Sequence, residues 1–461
     1  MQEAIFARSM LSYKKHIRET FLLAYPVCLG QLGHVMVGVA DSIMVGNYGG
    51  VNSQIGTLSL AAASLANALI HIILVLGIGI SYGATPLIAA ADSKNETKEI
   101  ADLLKHSILL CLISGLIISV SLYFSSPLLQ YFSQPENVVE LAIPYFNIMV
   151  FSMFPLMIFL AFKQFAEGLS DTKTAMYISI GSNLLNVFLN YLFIYGNWGF
   201  KEMGLNGAGW ASFIARIVMA VSMGWYVYKA SKFKAYKTGF SFIQYQWKKV
   251  GEIFKVGLPV GLQFTFEVSA FAIAAIMIGW ISAEDLAAHQ IAISLASLTY
   301  MFASGLSAAA SVRVGNYFGV KNFSDLRKAG NTALIMVLAF MGSMSLLFVV
   351  FNNFLPRLFN KNESVIYIAS HLLLIAALFQ LSDGSQVVGQ GLLRGMADVK
   401  LPTIFTFFAY WIIGLPVGWV LGFKLGIGSA GVWYGLSIGL TIATVLNFLR
   451  FFHKSKSVPL A

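Results

Sequence analysis

The stretch GLPVGLQFTFEVSAFAIAAIMIGW, residues 257–280, decides the fold because it is long, apolar and interrupted by one ionisable side chain, Glu267. A helix crosses the hydrocarbon layer of a bilayer in about 20 apolar residues. A charged group at the centre of that layer costs about 2.5–3.5 kcal/mol on insertion scales, so it usually faces a cavity or a partner. The stretch therefore predicts a membrane helix that carries a functional acid.

The composition of the whole chain supports the same interpretation. Of 461 residues, 57% are hydrophobic and 11% are charged, whereas about 25% of the residues in a soluble domain are charged. Apolar runs of spanning length recur twelve times, which predicts an all-α polytopic membrane protein. The predicted spans are 21–46, 56–90, 103–124, 140–165, 174–196, 207–229, 252–280, 286–311, 329–351, 364–391, 402–423 and 428–451.

The basic residues predict the orientation of these spans. Starting from a cytoplasmic N-terminus, 25 of the 30 Lys and Arg residues fall in the two tails and the even-numbered loops. Four fall in the opposite loops, and Arg216 lies within span six. Short cytoplasmic loops are enriched in Lys and Arg, so both termini are expected in the cytoplasm. A nucleic-acid partner is not expected, because it would require a basic face on a soluble element.

The chain contains three pairs of similar segments in the same order. ETFLLAYPV at 19–27 resembles EIFKVGLPV at 252–260, GLSDTK at 168–173 resembles GMADVK at 395–400, and GLNGAG at 204–209 resembles GIGSAG at 426–431. The pairs lie 233, 227 and 222 residues apart. They predict a duplication into two six-span lobes related by a pseudo-twofold axis along the membrane normal. The expected boundaries are 1–229 for the first lobe, 230–251 for a cytoplasmic linker and 252–461 for the second lobe.

Three carboxylates fall inside predicted spans. At 1.5 Å per residue, Asp41 lies in the outer half of span one, whereas Glu267 and Asp383 lie near the middle of the membrane. A buried acid can take up a proton or be neutralised by a cation, which is the chemistry of ion coupling. Glu267 and Asp383 are therefore candidate ligands of Na⁺. The alternatives are an Asp41 that reaches the outer headgroups, and neutral structural acids at the other two positions.

Amides and one arginine are further polar groups within the spans. Asn183, Asn186 and Asn190 follow the spacing i, i+3, i+7 and share one face of span five. They either bond across a helix interface or line a polar cavity. Arg216 is expected to have an acidic or carbonyl partner and to serve in static charge balance. The stretch GIGISYG, residues 77–83, predicts close helix packing because it lies in an apolar span with no acidic residue placed to bind a ribose.

Glycine and proline mark positions where the spans can bend. The candidates are Pro26, Gly257, Pro259, Gly261 and Gly384. No G-x-x-x-x-G-K-[ST] phosphate-binding loop occurs in the sequence. A transporter without a nucleotide site must draw on an ion gradient, so no cofactor is expected beyond the coupling ion.

In their order, several of these segments resemble the multidrug and toxic compound extrusion (MATE) family in its bacterial NorM-like branch. The segments are VADSIMVG at 39–46, the Asn186 and Asn190 pair, GLPVGLQ followed by Glu267, SLASLTYMF at 294–302 and SDGSQVVGQGLLRGMAD at 382–398. The resemblance implies a monomeric, twelve-helix, two-lobe exporter in the bacterial cytoplasmic membrane. Such a protein exchanges organic cations for Na⁺ or H⁺ by rocking its lobes.

The resemblance also assigns roles to individual residues. Glu267 and Asp383, with Tyr300 as a neighbour, resemble the cation-coupling site of the second lobe. Asp41, with Asn186 and Asn190, resembles the substrate or proton site of the first lobe. Na⁺ is favoured over H⁺ as the coupling ion because the second lobe carries two acids. Abundant Phe and Met residues favour bulky, amphipathic, mostly cationic substrates, and anionic substrates are expected to be poor.

Other functional classes remain as alternatives. A lipid-linked saccharide flippase of the same superfamily is the closest one, although such proteins often line their cavity with several basic residues, and Arg216 is the only one assigned to the interior of a span. An ion channel would not require acids at different depths in both lobes. An enzyme is not expected, because the polar residues within the spans do not combine into a nucleophile and base or a metal cluster.

Overall fold

Long helices joined by short turns make up the computed structural model, which describes residues 2–50, 54–132, 134–237 and 245–456. No strand occurs within these ranges. The first helices are α1 (Gln2–Gly46), α2 (Gln54–Ser81), α3 (Ala84–Ser93), α4 (Thr97–Ser125), α5 (Glu136–Phe151), α6 (Met153–Gly168), α7 (Lys173–Phe193), α8 (Leu205–Lys229) and α9 (Lys234–Lys237). The later ones are α10 (Trp247–Gly279), α11 (Ala283–Gly319), α12 (Phe323–Val350), α13 (Phe354–Arg357), α14 (Glu363–Gly395), α15 (Lys400–Phe407), α16 (Leu415–Trp419) and α17 (Ser429–Lys456).

The predicted all-α, twelve-span architecture is confirmed. Within the described ranges, eleven helices or joined helix pairs are long and apolar enough to cross a membrane. The twelfth span is α7, whose 21 residues include the three asparagines that lower its mean hydropathy. Two spans are each built from a pair of helices, α2 with α3 and α5 with α6. Another consists of α15 and α16 with the π-helical turns Phe408–Gly414 and Val420–Lys424.

The chain forms two compact units. One, here called the N-unit, comprises Leu29–Gly261, and the other, the C-unit, comprises Met1–Cys28 together with Leu262–Ala461. This division differs from the lobes expected from the duplication, because α1 and α10 each contribute residues to both units. In the C-unit, the buried Arg313 holds the first part of α1 by donating to the Thr20 hydroxyl at 2.7 Å and to the His16 carbonyl at 2.8 Å.

In the N-unit, glycines allow the first part of α10 to pack directly against α2. A Cβ atom on Gly257 would lie 2.2 Å from the Ile80 carbonyl oxygen, and one on Gly79 would lie 2.2 Å from the Gly261 Cα atom. Such distances leave room only for glycine, because interiors pack without gaps that could absorb an added methyl group. The prediction of close helix packing at residues 77–83 is confirmed.

Two turns with matching geometry support the predicted duplication. Ser170 and Ala397, which occupy corresponding positions in GLSDTK and GMADVK, have φ of 62° and 53°. In both turns the next residue, Asp171 or Asp398, donates its backbone N–H to a carbonyl five residues earlier, at 2.8 and 2.9 Å. Each turn closes the carboxyl end of a helix, as left-handed capping residues commonly do.

The segment predicted as a linker, residues 230–251, is partly helical. It contains the 3₁₀ turn Ser231–Phe233, the helix α9 and the beginning of α10, while residues 238–244 lie outside the described residues. Pro26 and Pro259 both lie inside continuous helices, α1 and α10. Their bending role therefore stays a prediction.

Candidate functional site

Two acids are buried in the interior of the C-unit. Glu267 on α10 and Asp383 on α14 are only 5% and 4% exposed, and their charges interact. Gln386, one helical turn beyond Asp383, donates its Nε2 to Glu267 Oε2 at 3.3 Å. The structure thus places both acids in the interior of one unit, within range of each other's charge.

Tyr410 completes this acidic cluster from a third element. It is fully buried in the π-helical turn Phe408–Gly414, and its hydroxyl donates to Gln386 Oε1 at 2.9 Å. Its side chain also interacts electrostatically with Glu267, Asp383 and Tyr300. A π-helical turn changes the direction of the following side chains and is frequent at functional sites. Tyr410 therefore contacts the amide that bonds Glu267, and it lies within electrostatic range of Tyr300, the tyrosine that was predicted as a neighbour of the acids.

Neutral oxygen and nitrogen atoms extend the cluster along α14. Gln390 interacts with Glu267 and lies 3.5 Å from the hydroxyl of Thr406, which Gln263 also approaches at 3.4 Å. Among the described residues, neither acid forms an ion pair with a basic side chain within 4.0 Å. Two acids surrounded by hydroxyls and amides offer oxygen ligands suited to a hard cation.

Asp41 is the centre of a second polar cluster, in the N-unit. Asn190 donates its Nδ2 to Asp41 Oδ1 at 2.5 Å. With its amide nitrogen facing Asp41, Asn186 donates to the same oxygen at 2.9 Å and accepts from the Ser212 hydroxyl at 3.1 Å. The predicted set of Asp41, Asn186 and Asn190 is thus one hydrogen-bonded group that joins α1, α7 and α8.

A cavity of about 560 Å³ lies beside Asp41, entirely within the N-unit. Asn183 and Asn186 line it, so the shared face of α7 both borders a polar cavity and bonds across a helix interface. Both apolar and polar side chains line the cavity. The ionisable ones are Asp41, His34, His71, Tyr82, Tyr145, Lys163 and Arg216.

Arg216 lines the same cavity and has a neutral partner. Its Nη1 donates to the Ser152 hydroxyl at 2.5 Å, and that hydroxyl donates in turn to the Met149 carbonyl at 2.6 Å. The expected acidic or carbonyl partner is not found among the described residues, since Asp41 interacts with Arg216 only at longer range. The expectation that Arg216 is the only basic residue of the interior is also corrected, because Lys163 lines the cavity as well.

Sequence reasoning missed several members of these clusters. Gln386 and Gln390 follow Asp383 at i+3 and i+7, the same spacing as the asparagines of α7, and this pattern would have found them. Tyr410 and Ser212 carry no such signal. Gly384, a predicted bending point, packs closely against α12, where a Cβ atom would lie 2.6 Å from Met341 Cγ. Within the described ranges, no three His, Cys, Asp or Glu residues are grouped to hold a metal ion.

Known proteins resemble this chain over nearly its full length. The MatE family model matches residues 26–192 and 259–420. The probable multidrug resistance protein NorM of Rhizobium meliloti is 30% identical over 466 residues, covering 100% of this chain and 98% of that protein. The multidrug resistance protein MdtK of Yersinia pseudotuberculosis is 32% identical over 446 residues, with 96% of each chain covered.

Solved structures share the fold. An outward-facing multidrug resistance MATE family transporter of the MOP superfamily matches with a TM-score of 0.85 at 20% identity, covering 96% of both chains. The eukaryotic MATE transporter AtDTX14 matches with a TM-score of 0.85 at 17% identity, covering 96% of this chain and 99% of that one. The family model spans well over half of the sequence, and its relatives align from end to end. The chain therefore belongs to the MatE family and is a multi-pass membrane protein with the MATE transporter fold.

Proposed function

We propose that the protein is a secondary active multidrug efflux transporter that exports amphipathic compounds in exchange for Na⁺ or H⁺. The observation that carries this proposal is the pair of buried acids, Glu267 and Asp383, surrounded by hydroxyls and amides. Two carboxylates at that depth are unstable when both are charged and unpaired. Binding a cation or a proton relieves this instability, which makes occupancy of the site sensitive to an ion gradient.

The second cluster supports a separate place for the exported compound. The N-unit cavity has room for a small organic molecule, since ligand pockets are commonly about 300–1,000 Å³. Asp41 supplies an anionic group at its border. The names of the relatives NorM and MdtK, both called multidrug resistance proteins, support drugs as the exported class.

Na⁺ is the favoured coupling ion. Both acids can ligate one monovalent cation at the same time, and the amide and hydroxyl oxygens nearby can replace part of the hydration shell. Either ion balances one of the two negative charges, but a proton binds to one carboxylate, whereas Na⁺ uses the oxygens of both. We propose that the two halves rock between inward-open and outward-open states. We also propose that the protein lies in the cytoplasmic membrane of a bacterium with both termini in the cytoplasm.

Ethidium efflux from pump-deficient bacteria that express the chain tests this function. Cells with the wild-type chain should retain less ethidium than cells with an empty vector, and removing external Na⁺ or collapsing the proton gradient should restore retention. The two treatments applied separately identify the coupling ion. Equal retention in expressing and empty cells, with the protein present in the membrane, would contradict efflux.

A lipid-linked saccharide flippase is the second candidate, and one observation favours it. Lys163 joins Arg216 at the cavity, so more than one basic residue is available to a phosphate group. However, Lys163 is paired with the buried Glu167 at 3.7 Å, which offsets much of its charge. Ethidium efflux separates the two candidates, because a flippase specific for lipid-linked sugars would leave ethidium retention unchanged.

A further inference from the structure

A second concavity lies on the N-unit, apart from the cavity beside Asp41. It is a groove of about 1060 Å³ bounded by α5, α6 and α8, and its lining residues on α8 run from Trp210 to Tyr228. Every residue that lines this α8 groove is apolar or aromatic except Asn147. No described residue lines both concavities, so the groove is separate from the proposed transport site.

Small and large residues on α8 give the groove its shape. Ala220 and Gly224 are four residues apart, so they share one face of the helix and form the floor. A Cβ atom on Gly224 would lie 3.2 Å from the ring of Phe162, so the glycine allows that ring of α6 to pack against α8. Trp225 and Tyr228 are exposed and form a rim beside the floor.

The length of the groove matches the thickness of a membrane. From Trp210 to Tyr228, α8 rises about 27 Å at 1.5 Å per residue, and the hydrocarbon core of a bilayer is about 30 Å thick. Exposed aromatic residues lie at both ends, with Trp210 at one and Trp225 and Tyr228 at the other. Aromatic side chains are enriched at the two membrane–water interfaces. The groove therefore opens to acyl chains along its length.

One end of the groove carries a positive charge. Lys229, the last residue of α8, is exposed, and its Nζ lies 5.1 Å from the ring centroid of Trp225 and 5.8 Å from that of Tyr228. Within the described part of the chain, no carboxylate lies within 4.0 Å of this ammonium. The first turn of α8, at the opposite end, contains no basic residue. In the proposed orientation, Lys229 faces the cytoplasmic leaflet, where anionic lipids attract basic residues next to a membrane helix.

Charge complementarity identifies the occupant. An apolar groove that opens to the bilayer favours an acyl chain, because an empty groove would lose the dispersion contacts of its lining. The ammonium of Lys229 favours a phosphate at the cytoplasmic end of the same groove. A second copy of the chain fits less well, because a twofold interface in the membrane would bring the same surface of both copies together, including both Lys229 side chains.

We infer that the α8 groove binds an anionic phospholipid of the cytoplasmic leaflet. One acyl chain lies along Ala220 and Gly224, and the phosphate group lies at Lys229. This inference goes beyond the proposed efflux function and uses only its orientation in the membrane. The lipid is a bound structural ligand and not an exported compound.

Photo-crosslinking tests the location and the head group together. The purified full-length protein in detergent is titrated with phosphatidylglycerol that carries a diazirine in its acyl chain, and the labelled residues are mapped by mass spectrometry. Labelling is expected on residues of the groove such as Phe151, Ile158 and Val221. A zwitterionic phosphatidylcholine with the same acyl chain should require about fivefold more lipid for half-maximal labelling, which is the effect of one lysine near an anionic lipid.

A charge variant and its control test the head-group contact. Lys229→Gln should weaken binding of the phosphatidylglycerol probe about fivefold, to the level of the phosphatidylcholine probe, whose binding should not change. Lys248→Gln removes another exposed lysine, which follows the exposed Trp247 and does not line the groove. This control should leave the binding of both probes unchanged.

A second pair of variants tests the acyl-chain contact. Ile217→Trp places a larger side chain in the groove and should reduce labelling by both probes. Leu338→Trp makes the same change at a position of α12 with a similar exposed fraction, 40% against 38% for Ile217, and should leave labelling of the groove unchanged. Thermal unfolding of every variant in the same detergent reports whether the fold is retained, and native mass spectrometry reports the oligomeric state.

The outcomes are separate from those of the efflux proposal, which ethidium efflux tests independently. Labelling concentrated in the groove, with a preference for phosphatidylglycerol that only Lys229→Gln removes, would support the lipid site. Labelling spread evenly over the exposed surface, or equal binding of the two probes to the wild-type protein, would overturn it. A dimer that dissociates in Ile217→Trp would also overturn it, because the groove would then be covered by a second copy of the chain.

Discussion

The N-unit and the C-unit each carry a row of polar side chains with the same spacing on one helix, yet the two rows differ in charge and lie on helices that do not correspond in the duplication. Helix α7 carries three amides at i, i+3 and i+7, which are Asn183, Asn186 and Asn190. Helix α14 carries one acid and two amides at the same intervals, which are Asp383, Gln386 and Gln390. In the N-unit the acid is Asp41, accompanied by Arg216, whereas in the C-unit the second acid is Glu267. The same spacing of polar side chains thus accompanies a mixed-charge cavity in one unit and an acidic cluster without a basic partner in the other, among the residues that the structure describes.

Removing one acid from the C-unit should have the largest effect. Glu267→Gln keeps the shape of the side chain but removes a negative charge from the proposed cation site. Na⁺-driven or proton-driven efflux is expected to fall about a hundredfold, because a charged ligand bonded to a buried cation contributes more than a neutral one. Ethidium transport in everted vesicles, with a Na⁺ or a proton gradient imposed, measures this loss.

A matched control for this variant is Glu284→Gln, which removes an acid from the first turn of α11. It should transport at nearly the wild-type rate. Full ion dependence in Glu267→Gln would show that the acid is structural, and the contrast between the units would then have no functional meaning.

Neutralising the acid of the N-unit should have a smaller effect on transport and a different effect on ion binding. Asp41→Asn is expected to lower ethidium efflux about tenfold, because the cavity loses its carboxylate. Binding of Na⁺ to the purified protein, measured by isothermal titration calorimetry, should remain close to that of the wild type. If Asp41→Asn abolished Na⁺ binding while Glu267→Gln preserved it, the roles assigned to the two units would be reversed.

Adding a single methyl group to the glycine contact between α10 and α2 should lower the stability of the protein. Gly257→Ala is expected to destabilise the protein by about 1–3 kcal/mol, because the added Cβ atom meets the Ile80 backbone. Gly251→Ala, in the same helix, meets nothing within 4 Å and should be neutral or slightly stabilising. Thermal unfolding in detergent compares the two. Equal stability of both variants would show that this contact does not constrain α10.

The smallest effect on stability is expected at the two left-handed turns that follow α6 and α14, at Ser170 and Ala397. Ser170→Gly and Ala397→Gly should each stabilise the protein by up to about 1 kcal/mol, because a left-handed conformation costs a non-glycine residue about 1–2 kcal/mol and glycine recovers part of this. Ala287→Gly, within α11, should instead be destabilising. Thermal unfolding measures both variants. If only one of them is stabilised, the left-handed conformation costs a different free energy in the two turns, although their geometry is similar.

Much of the fold was predictable from the sequence, because hydropathy and length are sufficient to locate helices in a membrane. The predicted span of 329–351 corresponds to Phe323–Val350, and that of 364–391 to Glu363–Gly395. The division of α1 and α10 between two units was not predictable, since hydropathy contains no information about which neighbour a helix packs against. It depends on close contacts such as those of Gly257, which appear only in three dimensions.

The candidate sites were predictable where polar residues stand out from an apolar run. Glu267, Asp383 and Asp41 were found in this way. The spacing of Asn186 and Asn190 placed them on one helix face, and the family resemblance grouped them with Asp41. Tyr410 was missed because tyrosine within FAYWIIG is typical of an apolar span, and because a π-helical turn sets its direction. The role of Lys163 in the cavity was missed because a lysine near a helix end is usually assigned to the membrane surface.

The division of α1 between the two units has a consequence for synthesis on the ribosome. The N-unit is continuous in sequence, so every residue it needs has been made once Gly261 has been added. The C-unit combines Met1–Cys28 with Leu262–Ala461. The Thr20 hydroxyl can accept its hydrogen bond from Arg313 only after that residue has been synthesised, 293 residues later. Because units generally fold once their residues are available, the first segment inserted into the membrane is among the last to reach its final packing. A fragment that starts at the linker lacks that segment, so the second half of the gene alone does not encode a complete folding unit.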